Sequence, residues 1–520
     1  MIIGPQPGFK DSSLIEQIFR SKRSLTPTLA SERQMSAAET LSTGNASLRI
    51  FLNITHGFQA RMLLRSKITE ELLARGASLV VCSLNAEESY FANEFRHPQI
   101  TLVQMPTRTS RWEARLMNWR QYLLMNPSLG GTLNHKRESL RRTQPTRYFF
   151  TRALNLLLGN LPFLRRHYMN AESRLYPAHE FDHLLKMYNP DLVVTGTPGF
   201  NIHDVHVLRS SRRLGIPTAT VMLSWDNLTS KGFMNGVPEY LLVWSRLMAD
   251  EAVQYHDFPR ARIYQTGAAQ FDNYYRARET TDIAQWRDMH DVPRNAFLMM
   301  YGTINPGICG HEIEILRSII ARMRASDLPR RPFLWIRLHP QVVNGSWESS
   351  VEPFRSLAAD DVRVEIPPVT DSKLHWDLPR RDAEHLRSLI TASDMVITTS
   401  STLSIDAACA DTPITNVFFD GCKVDPALSV SRFKNYTHYS KILATGGIFI
   451  ADTPEQFSLA MEHYCDNRKA DHVGRLSIIR QQIGSLDGCA GINTARVLMM
   501  LANKTPLTTE SNCDVLPNRA

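Results

Sequence analysis

Apolar segments of strand length alternate with segments of helical periodicity along most of the chain. The segments 48–55 and 78–84 are apolar runs, and 61–76 between them has helical spacing and ends at Gly76. A strand, a helix and a second strand in this order form a unit whose two strands pair in parallel. The alternation therefore restricts the chain to an α/β fold with parallel sheets and right-handed crossovers.

The alternation occurs in two series, which predicts two domains. The first series continues to about residue 267, and the second begins with the apolar segment 296–303. At 520 residues the chain is also too long for one ordinary core. We predict an α/β fold in which two Rossmann-like, doubly wound domains face each other across a cleft, where ligands bind beyond the carboxyl ends of the strands.

The predicted boundaries follow from where the periodic pattern starts, changes and stops. They are a poorly ordered segment 1–46, a first Rossmann-like domain 47–270 with a basic insertion 108–174, a second Rossmann-like domain 271–485, a C-terminal helix 486–503 and a flexible tail 504–520.

Cysteine usage and hydropathy favour a reduced, cytoplasmic protein. The seven cysteines are scattered singly, without the paired spacing of a disulfide framework or a zinc site. We therefore predict no metal site. There is no apolar stretch of 18 or more residues and no signal-peptide pattern at the N-terminus.

The insertion 108–174 accounts for the net positive charge of the chain, since its local net charge of +10 (13 − 3) exceeds the formal +8 of the whole. It contains 13 Lys and Arg against three Glu, and aromatic residues are interleaved with the arginines. Such a block is compatible with peripheral association of an interfacial helix with anionic lipid at the inner face of the plasma membrane. An insertion that simply packs on the first domain explains it equally well. No nucleic-acid-binding motif is present, so we predict no nucleic-acid partner.

The segment "TTSSTLSIDAACADTP" (398–413) follows a predicted strand and opens a predicted helix. Unpaired N–H groups at a helix N-terminus bind phosphates, and hydroxyls add donors. One hydroxyl suffices for an ordinary N-cap, whereas Ser400, Ser401 and Thr402 belong to a longer row. This pattern predicts a phosphate site, with Asp406 one turn into the helix.

Two further loops follow strands of the second series. "RLHP" (337–340) places His339 where it could hydrogen-bond a phosphate or a leaving group, with Arg337 adding positive charge. The alternative is a histidine satisfied at a sheet edge. "YGTINPG" (301–307) contributes Gly302, which permits close backbone approach, and Thr303.

Loops of the first series supply the opposite wall of the predicted cleft. "ITHGFQAR" (54–61) places His56, followed by Gly57, where a base could reach across, unless Thr55 merely caps a helix beside an incidental histidine. "LSWDNLTSKG" (223–232) has a tryptophan just after an apolar strand, where an exposed tryptophan is uncommon, and its Asp226 could orient His56 or shape an Asx-turn. The predicted cleft residues of this wall are Gly57, Trp225, Asn227, Gln270 and Asp272.

Together these motifs resemble bacterial surface-polysaccharide biosynthesis proteins with the GT-B glycosyltransferase fold. The resemblance covers roughly 48–503. It is carried by "THGFQARMLLRS", "SWDNLTSKG", "GAAQFD", "RLHP", "DMVITTSSTLSIDAACADTPI" and "LDGCAG". The last third is also similar to CDP-glycerol glycerophosphotransferases, whose C-terminal half pairs a His-Pro motif with a Ser/Thr-rich strand-to-helix turn.

The resemblance implies a metal-independent transferase without a cofactor, with a nucleotide-activated donor bound by the second domain and the acceptor bound by the first. Ser400, Ser401 and Thr402 would hold the donor phosphates, and His339 would contact them or the leaving group. His56 matches the position where many inverting enzymes of this fold place their base. The acceptor would be a glycan or a lipid-linked glycan.

The resulting hypothesis is a glycosyltransferase of cell-surface polysaccharide biosynthesis. The alternatives are a CDP-glycerol-type glycerophosphotransferase, a non-catalytic GT-B-like nucleotide-binding protein and a UDP-sugar 2-epimerase. The nonhydrolysing epimerases share the fold, but their Gly/Glu-rich turn is absent, since 400–407 read "SSTLSIDA".

Overall fold

The computed structural model describes residues 47–504 except 109, 127 and 128. The predicted segment 1–46 and residues 505–520 of the predicted tail lie outside the described residues. Two parallel sheets organise the described part, which confirms the predicted fold class.

The first sheet is built from seven short strands, which are mostly buried. They are β1 (Arg49–Ile54), β2 (Ser78–Ser83), β3 (Ile100–Gln104), β4 (Leu192–Thr195), β5 (Thr218–Val221), β6 (Tyr240–Val243) and β7 (Ile263–Gln265). All pair in parallel in the order β3-β2-β1-β4-β5-β6-β7. The order reverses between β1 and β4, which is where doubly wound sheets bind ligands.

The second sheet has six parallel strands and is accompanied by a small hairpin. The strands are β8 (Phe297–Gly302), β9 (Pro332–Arg337), β10 (Val362–Glu365), the hairpin strands β11 (Thr370–Ser372) and β12 (His375–Asp377), β13 (Met395–Thr398), β14 (Ile414–Val417) and β15 (Phe449–Ala451). The sheet order β10-β9-β8-β13-β14-β15 reverses between β8 and β13. The antiparallel pair β11-β12 stands apart from both sheets.

Helices cover the faces of the sheets and form the insertion. Those of the first half are Gly57–Gln59, Lys67–Ala74, Ser89–Glu94, Arg111–Leu123, Gly130–Thr143, Pro145–Leu158, Pro162–Leu175, Asp182–Tyr188, Ile202–Leu214, Asn227–Ser230 and Arg246–His256, with a π-helical turn Ala60–Leu64. Those of the second half are Ala277–Thr280, Ile283–Met289, Glu312–Arg324, Pro340–Val343, Glu352–Arg355, Arg380–Ala392, Leu403–Cys409, Thr437–Leu443, Pro454–Asp466, His472–Gln482 and Ala490–Ala502. Short 3-10 turns lie at Arg260–Arg262, Ala269–Tyr274, Ser346–Glu348 and Val430–Asn435.

The last helix returns to the first half of the molecule. Leu498 of helix Ala490–Ala502 is buried in the same core as Ile68 and Leu72 of helix Lys67–Ala74. The chain therefore crosses between its two halves twice, once near 270 and once before 490, and both crossings fix the halves beside each other.

The basic insertion is helical and is held on the first half by buried charges. Glu172 accepts from Arg209 at 3.1 Å, and Glu113 lies 2.9 Å from the Nε2 atom of His206. Among the described residues, no helix has both the length and the apolar character needed to cross a bilayer.

Candidate functional site

A cavity of about 730 Å³ opens between the carboxyl edges of the two sheets. Its volume falls within the range of natural small-ligand sites, roughly 300–1,000 Å³. The lining comes from the loops that follow β1, β4 and β5 in the first half and β8, β9 and β13 in the second. Both reversal points of strand order thus open into the same space.

The hydroxyl row after β13 lies in the cavity wall, but its hydroxyls have different partners. Thr399 donates to the carbonyl of Val417 at 2.9 Å. Ser401 accepts from the backbone N–H of Leu403 at 3.3 Å, as an ordinary helix cap does. Ser400 has a left-handed φ of 50°, which is uncommon for a residue other than glycine. Such strain is often found at ligand sites.

Trp225 ties the two halves together at this row. Its indole N–H donates to the hydroxyl oxygen of Thr402 at 3.2 Å, and its ring packs edge-on against His438. Trp225 lines the cavity, although it is only 5% exposed and belongs to the core shared by both halves.

His339 lines the cavity, and one of its two ring nitrogens already has a hydrogen-bond partner within the protein. Its Nδ1 accepts from the backbone N–H of Gln341 at 3.2 Å, and the Thr303 hydroxyl accepts from the His339 backbone N–H at 2.6 Å. Burial lowers the pKa of His339 to about 4, so the ring is neutral at pH 7. Because Nδ1 is an acceptor, the proton resides on Nε2, which becomes a hydrogen-bond donor.

Arg337 and Gly302 both line the cavity, but their contacts are with other residues of the protein. The Arg337 guanidinium donates to Asp382 at 2.6 Å and also to Glu365. Its charge is therefore neutralised by two carboxylates, which corrects the expectation that it adds positive charge for a phosphate. A Cβ at Gly302 would lie 2.0 Å from the side chain of Leu403, so the close approach that glycine allows is to the helix.

His56 lies on the opposite side and faces two N–H donors. The backbone N–H of Phe58 points at Nδ1 over 3.1 Å, and the indole N–H of Trp376 points at Nε2 over 2.6 Å. Burial, together with repulsion from His375 and Lys231, lowers its pKa to about 3. A neutral imidazole accepts through only one nitrogen, so the ring satisfies only one of these donors.

The β11-β12 hairpin explains both Gly57 and the cover over His56. The Gly57 N–H donates to Leu374 at 2.9 Å, and a Cβ at Gly57 would lie 2.6 Å from the Asp377 backbone. Glycine therefore lets the hairpin dock. The Trp376 ring lies 5.0 Å from the His56 ring and 5.4 Å from the His339 ring, so it contacts both predicted histidines.

Asp226 lies in the cavity wall but has no hydrogen bond or ion pair to His56 among the described residues. It accepts from the hydroxyls of Ser224 and Ser230, each at 2.6 Å. Burial opposes its ionisation, yet Lys231 and His438 lower its pKa to about 2. The expectation that Asp226 orients His56 is therefore not met, because its carboxylate is turned toward other partners.

Asp406, Asn227 and Gln270 also line the cavity. Burial raises the pKa of Asp406 to about 6, while Arg61 and Tyr274 act in the opposite direction. The Gln270 Oε1 atom is buried without a hydrogen-bond partner among the described residues. An unpaired buried acceptor at a cavity wall is suited to an incoming hydroxyl donor.

Asp272, by contrast, does not line the cavity. Its two carboxylate oxygens accept from the backbone N–H groups of Ala490 and Gly491, at 3.0 and 2.8 Å. It therefore fixes the start of the C-terminal helix, where an acidic side chain offsets the unpaired N–H groups. The expectation of a cleft residue is corrected to a structural role at the junction.

Two cations of the cavity, besides Arg337, were not among the predicted site residues. Arg61 and Lys231 line it, and neither makes an ion pair within 4.0 Å of a described residue. Both belong to motifs that were identified for other residues, "ITHGFQAR" and "SWDNLTSKG". Only the positive charge within those motifs could have indicated them as site residues. His438 and Trp376 had no such signal, because they reach the cavity from elements outside the quoted motifs.

Comparisons with known proteins address the fold. No family model and no curated protein matches the chain. A proposed UDP-N-acetylglucosamine 2-epimerase from Listeria monocytogenes is 10% identical over 89% of this chain and 98% of its own, with a TM-score of 0.53. The MnaA–UDP structure from S. aureus is 10% identical over 88% and 97%, with a TM-score of 0.50. A glycosyltransferase from Rickettsia africae is 10% identical over 88% and 99%, at 0.46.

At such low identities, a likeness between structures shows the fold alone. The two matches at 0.50 and above span nearly all of both chains. Together with the two facing parallel sheets, they show that this chain has a GT-B-like fold.

Proposed function

We propose that this protein is a GT-B glycosyltransferase that transfers a sugar or a related group from a nucleotide-activated donor to an acceptor in cell-surface polysaccharide biosynthesis. The observation that carries the proposal is the cavity between the sheets, which is lined by His56 from one half and by His339 from the other. A transferase must hold a donor and an acceptor against each other, and this arrangement provides one wall for each.

The second half offers the donors that a diphosphate needs. The Nε2–H of His339, the hydroxyls of Thr303 and Ser400, and the backbone at the start of helix Leu403–Cys409 all lie in one wall. Lys231 approaches from the first half and supplies positive charge. Fixed donors aimed at a leaving group lower the barrier because they need no reorganisation during the reaction.

The first half offers the acceptor side. His56 is neutral at pH 7 because its pKa lies near 3, so it has a lone pair for the proton of an acceptor hydroxyl. In the described arrangement the Trp376 indole covers Nε2. We infer that the β11-β12 hairpin shifts when substrates bind, which frees that nitrogen and exposes the ring to water enough to raise its basicity.

The proposed step is a direct displacement. The acceptor oxygen forms a bond to the anomeric carbon, and the bond from that carbon to the donor phosphate oxygen breaks. The electron pair remains on the departing nucleoside diphosphate, whose charge His339 and Lys231 offset. The acceptor proton goes to His56. Gln270, with its unpaired Oε1, orients the acceptor hydroxyls.

The test is an assay of nucleotide release with UDP-, GDP- and CDP-activated donors, with and without a glycan acceptor, analysed by mass spectrometry. We expect release from one donor class and an elongated acceptor. Glycerol phosphate on the acceptor would point to the glycerophosphotransferase. An epimerised sugar without acceptor would replace the proposal by an epimerase, and no reaction in any arm would favour a non-catalytic binding protein.

Variants connect the assay to the site. His56→Ala and His339→Ala should each lower turnover by roughly 10²–10⁴-fold, the usual contribution of an acid, a base or a fixed donor. His463→Ala, a half-exposed histidine on helix Pro454–Asp466, is the matched control and should leave turnover unchanged. Full turnover in either cavity variant would remove that residue from the mechanism.

A further inference from the structure

Helix Pro145–Leu158 of the insertion packs Leu154 and Leu158 inward but carries further large apolar side chains on the side that faces solvent. Its inward side buries Thr151 and Asn155, and Asn155 donates to the carbonyls of Leu123 and Met125 at 2.9 and 2.8 Å. Its outward side presents Phe149, Leu156 and Leu157, at the i, i+7 and i+8 spacing of one helical face. Ordinary surface helices place such residues against the core.

The apolar character continues past the end of this helix. Leu161 and Phe163, in the turn and at the start of helix Pro162–Leu175, are also exposed. We call the five residues Phe149, Leu156, Leu157, Leu161 and Phe163, which are 37–69% exposed, the insertion's apolar surface. Half of the large hydrophobic side chains exposed among the described residues lie between 112 and 175. Concentration of this kind marks an interaction site.

Exposed positive charge lies beside this surface, and the glutamates of the insertion have partners elsewhere. Arg166 and Arg174 are exposed on the neighbouring helix Pro162–Leu175. Of the three glutamates of the insertion, Glu113 and Glu172 are buried against His206 and Arg209. The third, Glu138, is bridged by two arginines of its own helix.

We propose that the insertion's apolar surface docks in the plane of an anionic lipid bilayer. Apolar side chains insert at the level of the acyl boundary while the surrounding arginines meet phosphate headgroups, which is how interfacial helices bind membranes. A second copy of this chain is disfavoured as the occupant, because it would place two strongly basic surfaces face to face. Charge complementarity therefore selects the anionic lipid.

The position of the insertion connects this surface with the cavity. Helix Gly130–Thr143 of the insertion packs against helix Asn227–Ser230 and against helix Thr437–Leu443, which carry the cavity residues Asn227 and His438. A docked insertion thus holds the cavity close to the bilayer. The consequence that the acceptor is lipid-linked rests on the proposed transferase function, whereas the docking itself does not.

The experiment is flotation of the full chain with vesicles of phosphatidylcholine alone or mixed with an equal part of phosphatidylglycerol. Three forms are compared with the natural chain. An apolar variant carries Leu156→Gln, Leu157→Gln and Phe163→Gln, and a charge variant carries Arg166→Gln and Arg174→Gln. The matched control carries Leu459→Gln and Val473→Gln, two exposed apolar residues of the second half. All seven positions are exposed, so each form should keep its thermal unfolding midpoint.

The natural chain and the control should float with anionic vesicles and stay behind with neutral ones. The apolar variant should bind anionic vesicles roughly tenfold more weakly or worse, because it loses its inserted groups. The charge variant should bind anionic vesicles roughly tenfold more weakly, and its difference from the natural chain should shrink in high salt.

Equal flotation of natural chain and apolar variant, or no flotation of the natural chain, would overturn the proposal. Concentration-dependent self-association without lipid that the apolar variant lacks would assign the surface to a second copy instead. Flotation of a chain that transfers nothing would leave the docking standing and reject the transferase.

Discussion

The ring of His56 is the residue on which the proposed chemistry depends most directly. Two N–H donors point at its two nitrogens, and the shorter contact comes from the indole of Trp376, 2.6 Å from Nε2. A hydrogen bond into that lone pair stabilises the neutral ring and competes with an acceptor proton for the same site. In the proposed mechanism, the Trp376 indole therefore has to leave Nε2 before His56 can act as a base.

Replacing Trp376 by Phe should raise the pKa of His56. The phenyl ring keeps most of the packing against His339, while the donor N–H disappears. A hydrogen bond worth about 1 kcal/mol corresponds to a rise of about one pKa unit. Burial remains, so the pKa should stay below the ordinary value. An NMR titration of labelled histidine measures the shift, with Phe58→Leu as a neighbouring control. An unchanged titration of His56 would show that the indole does not hold its lone pair.

A second histidine gives the molecule a measurable acid sensitivity. His256 is buried, donates to the Leu228 carbonyl at 2.7 Å and accepts from the Met234 N–H. Burial lowers its pKa to about 4, and Arg165 adds to the lowering, whereas the Leu228 bond and Asp257 oppose it. Between about pH 6.5 and pH 4 the unfolded chain therefore binds a proton here that the folded chain does not.

The contribution of His256 to the free energy of unfolding should fall by about 1.4 kcal/mol for each pH unit below 6.5 until pH 4 is reached. His256→Gln retains a donor and an acceptor but cannot titrate. Its free energy of unfolding should thus decline less steeply than that of the natural chain when urea unfolding is measured between pH 7 and pH 5. Parallel declines for the two proteins would contradict the assigned pKa.

Some of these residues could be found in the sequence and others could not. The loops that carry His56, His339 and Ser400 follow strongly apolar strands, and parallel strands bring such loops to one edge. Arg337 was misjudged because its partners Asp382 and Glu365 are distant in sequence. Trp376 was not found, because a three-residue strand has too short a pattern to recognise.

At the scale of elements, the β11-β12 hairpin is the piece that joins the two halves over the site. Asp377 accepts from Arg65 at 2.6 Å and from the Tyr90 hydroxyl at 2.9 Å, and all three belong to the wall behind His56. The carboxylate and the guanidinium are almost completely buried. Such a pair is costly to break, although Arg65 would keep Glu94 as its second partner after removal of Asp377.

Asp377→Ala should release the hairpin and destabilise it by roughly 1.5–3 kcal/mol, the usual contribution of a hydrogen bond to a charged group. The matched control is Arg380→Ala, which breaks the Arg380–Glu70 pair, also between the two halves but solvent-exposed. Its cost should stay within about 1 kcal/mol. Hydrogen exchange of the backbone amides of residues 370–377 measures how much each variant destabilises the hairpin. Equal protection of the hairpin in the two variants would show that burial of the Asp377 pair does not hold it.

The regular elements were predicted best where their pattern was long. The apolar segments 48–55, 78–84 and 296–303 contain strands β1, β2 and β8. The predicted helix 61–76 is instead divided, because the Ser66 hydroxyl caps a new helix by accepting from Ile68 while Arg65 turns toward the hairpin. Strands β3 and β15 were not predicted, since β3 is only half-buried and β15 is three residues long.

At the scale of the whole molecule, the proposed chemistry requires that the two halves are held beside each other across the cavity. Asp272 and helix Ala490–Ala502 secure one end, and Trp225 with Thr402 secures the cavity floor. The two-domain layout was readable from the doubled alternation. The bonds that hold the layout together were not, because each of them joins residues more than 170 positions apart.

The central claim is that this cavity holds a nucleoside diphosphate against His339. Isothermal titration of UDP, CDP and GDP into the natural chain, His339→Leu and the control His463→Leu tests it most directly. We expect one of the three nucleotides to bind at one site per chain, with the control unchanged. His339→Leu should bind it roughly tenfold or more weakly, because a hydrogen bond to a charged group is lost. The absence of binding by all three nucleotides, or equal binding by His339→Leu, would contradict the claim.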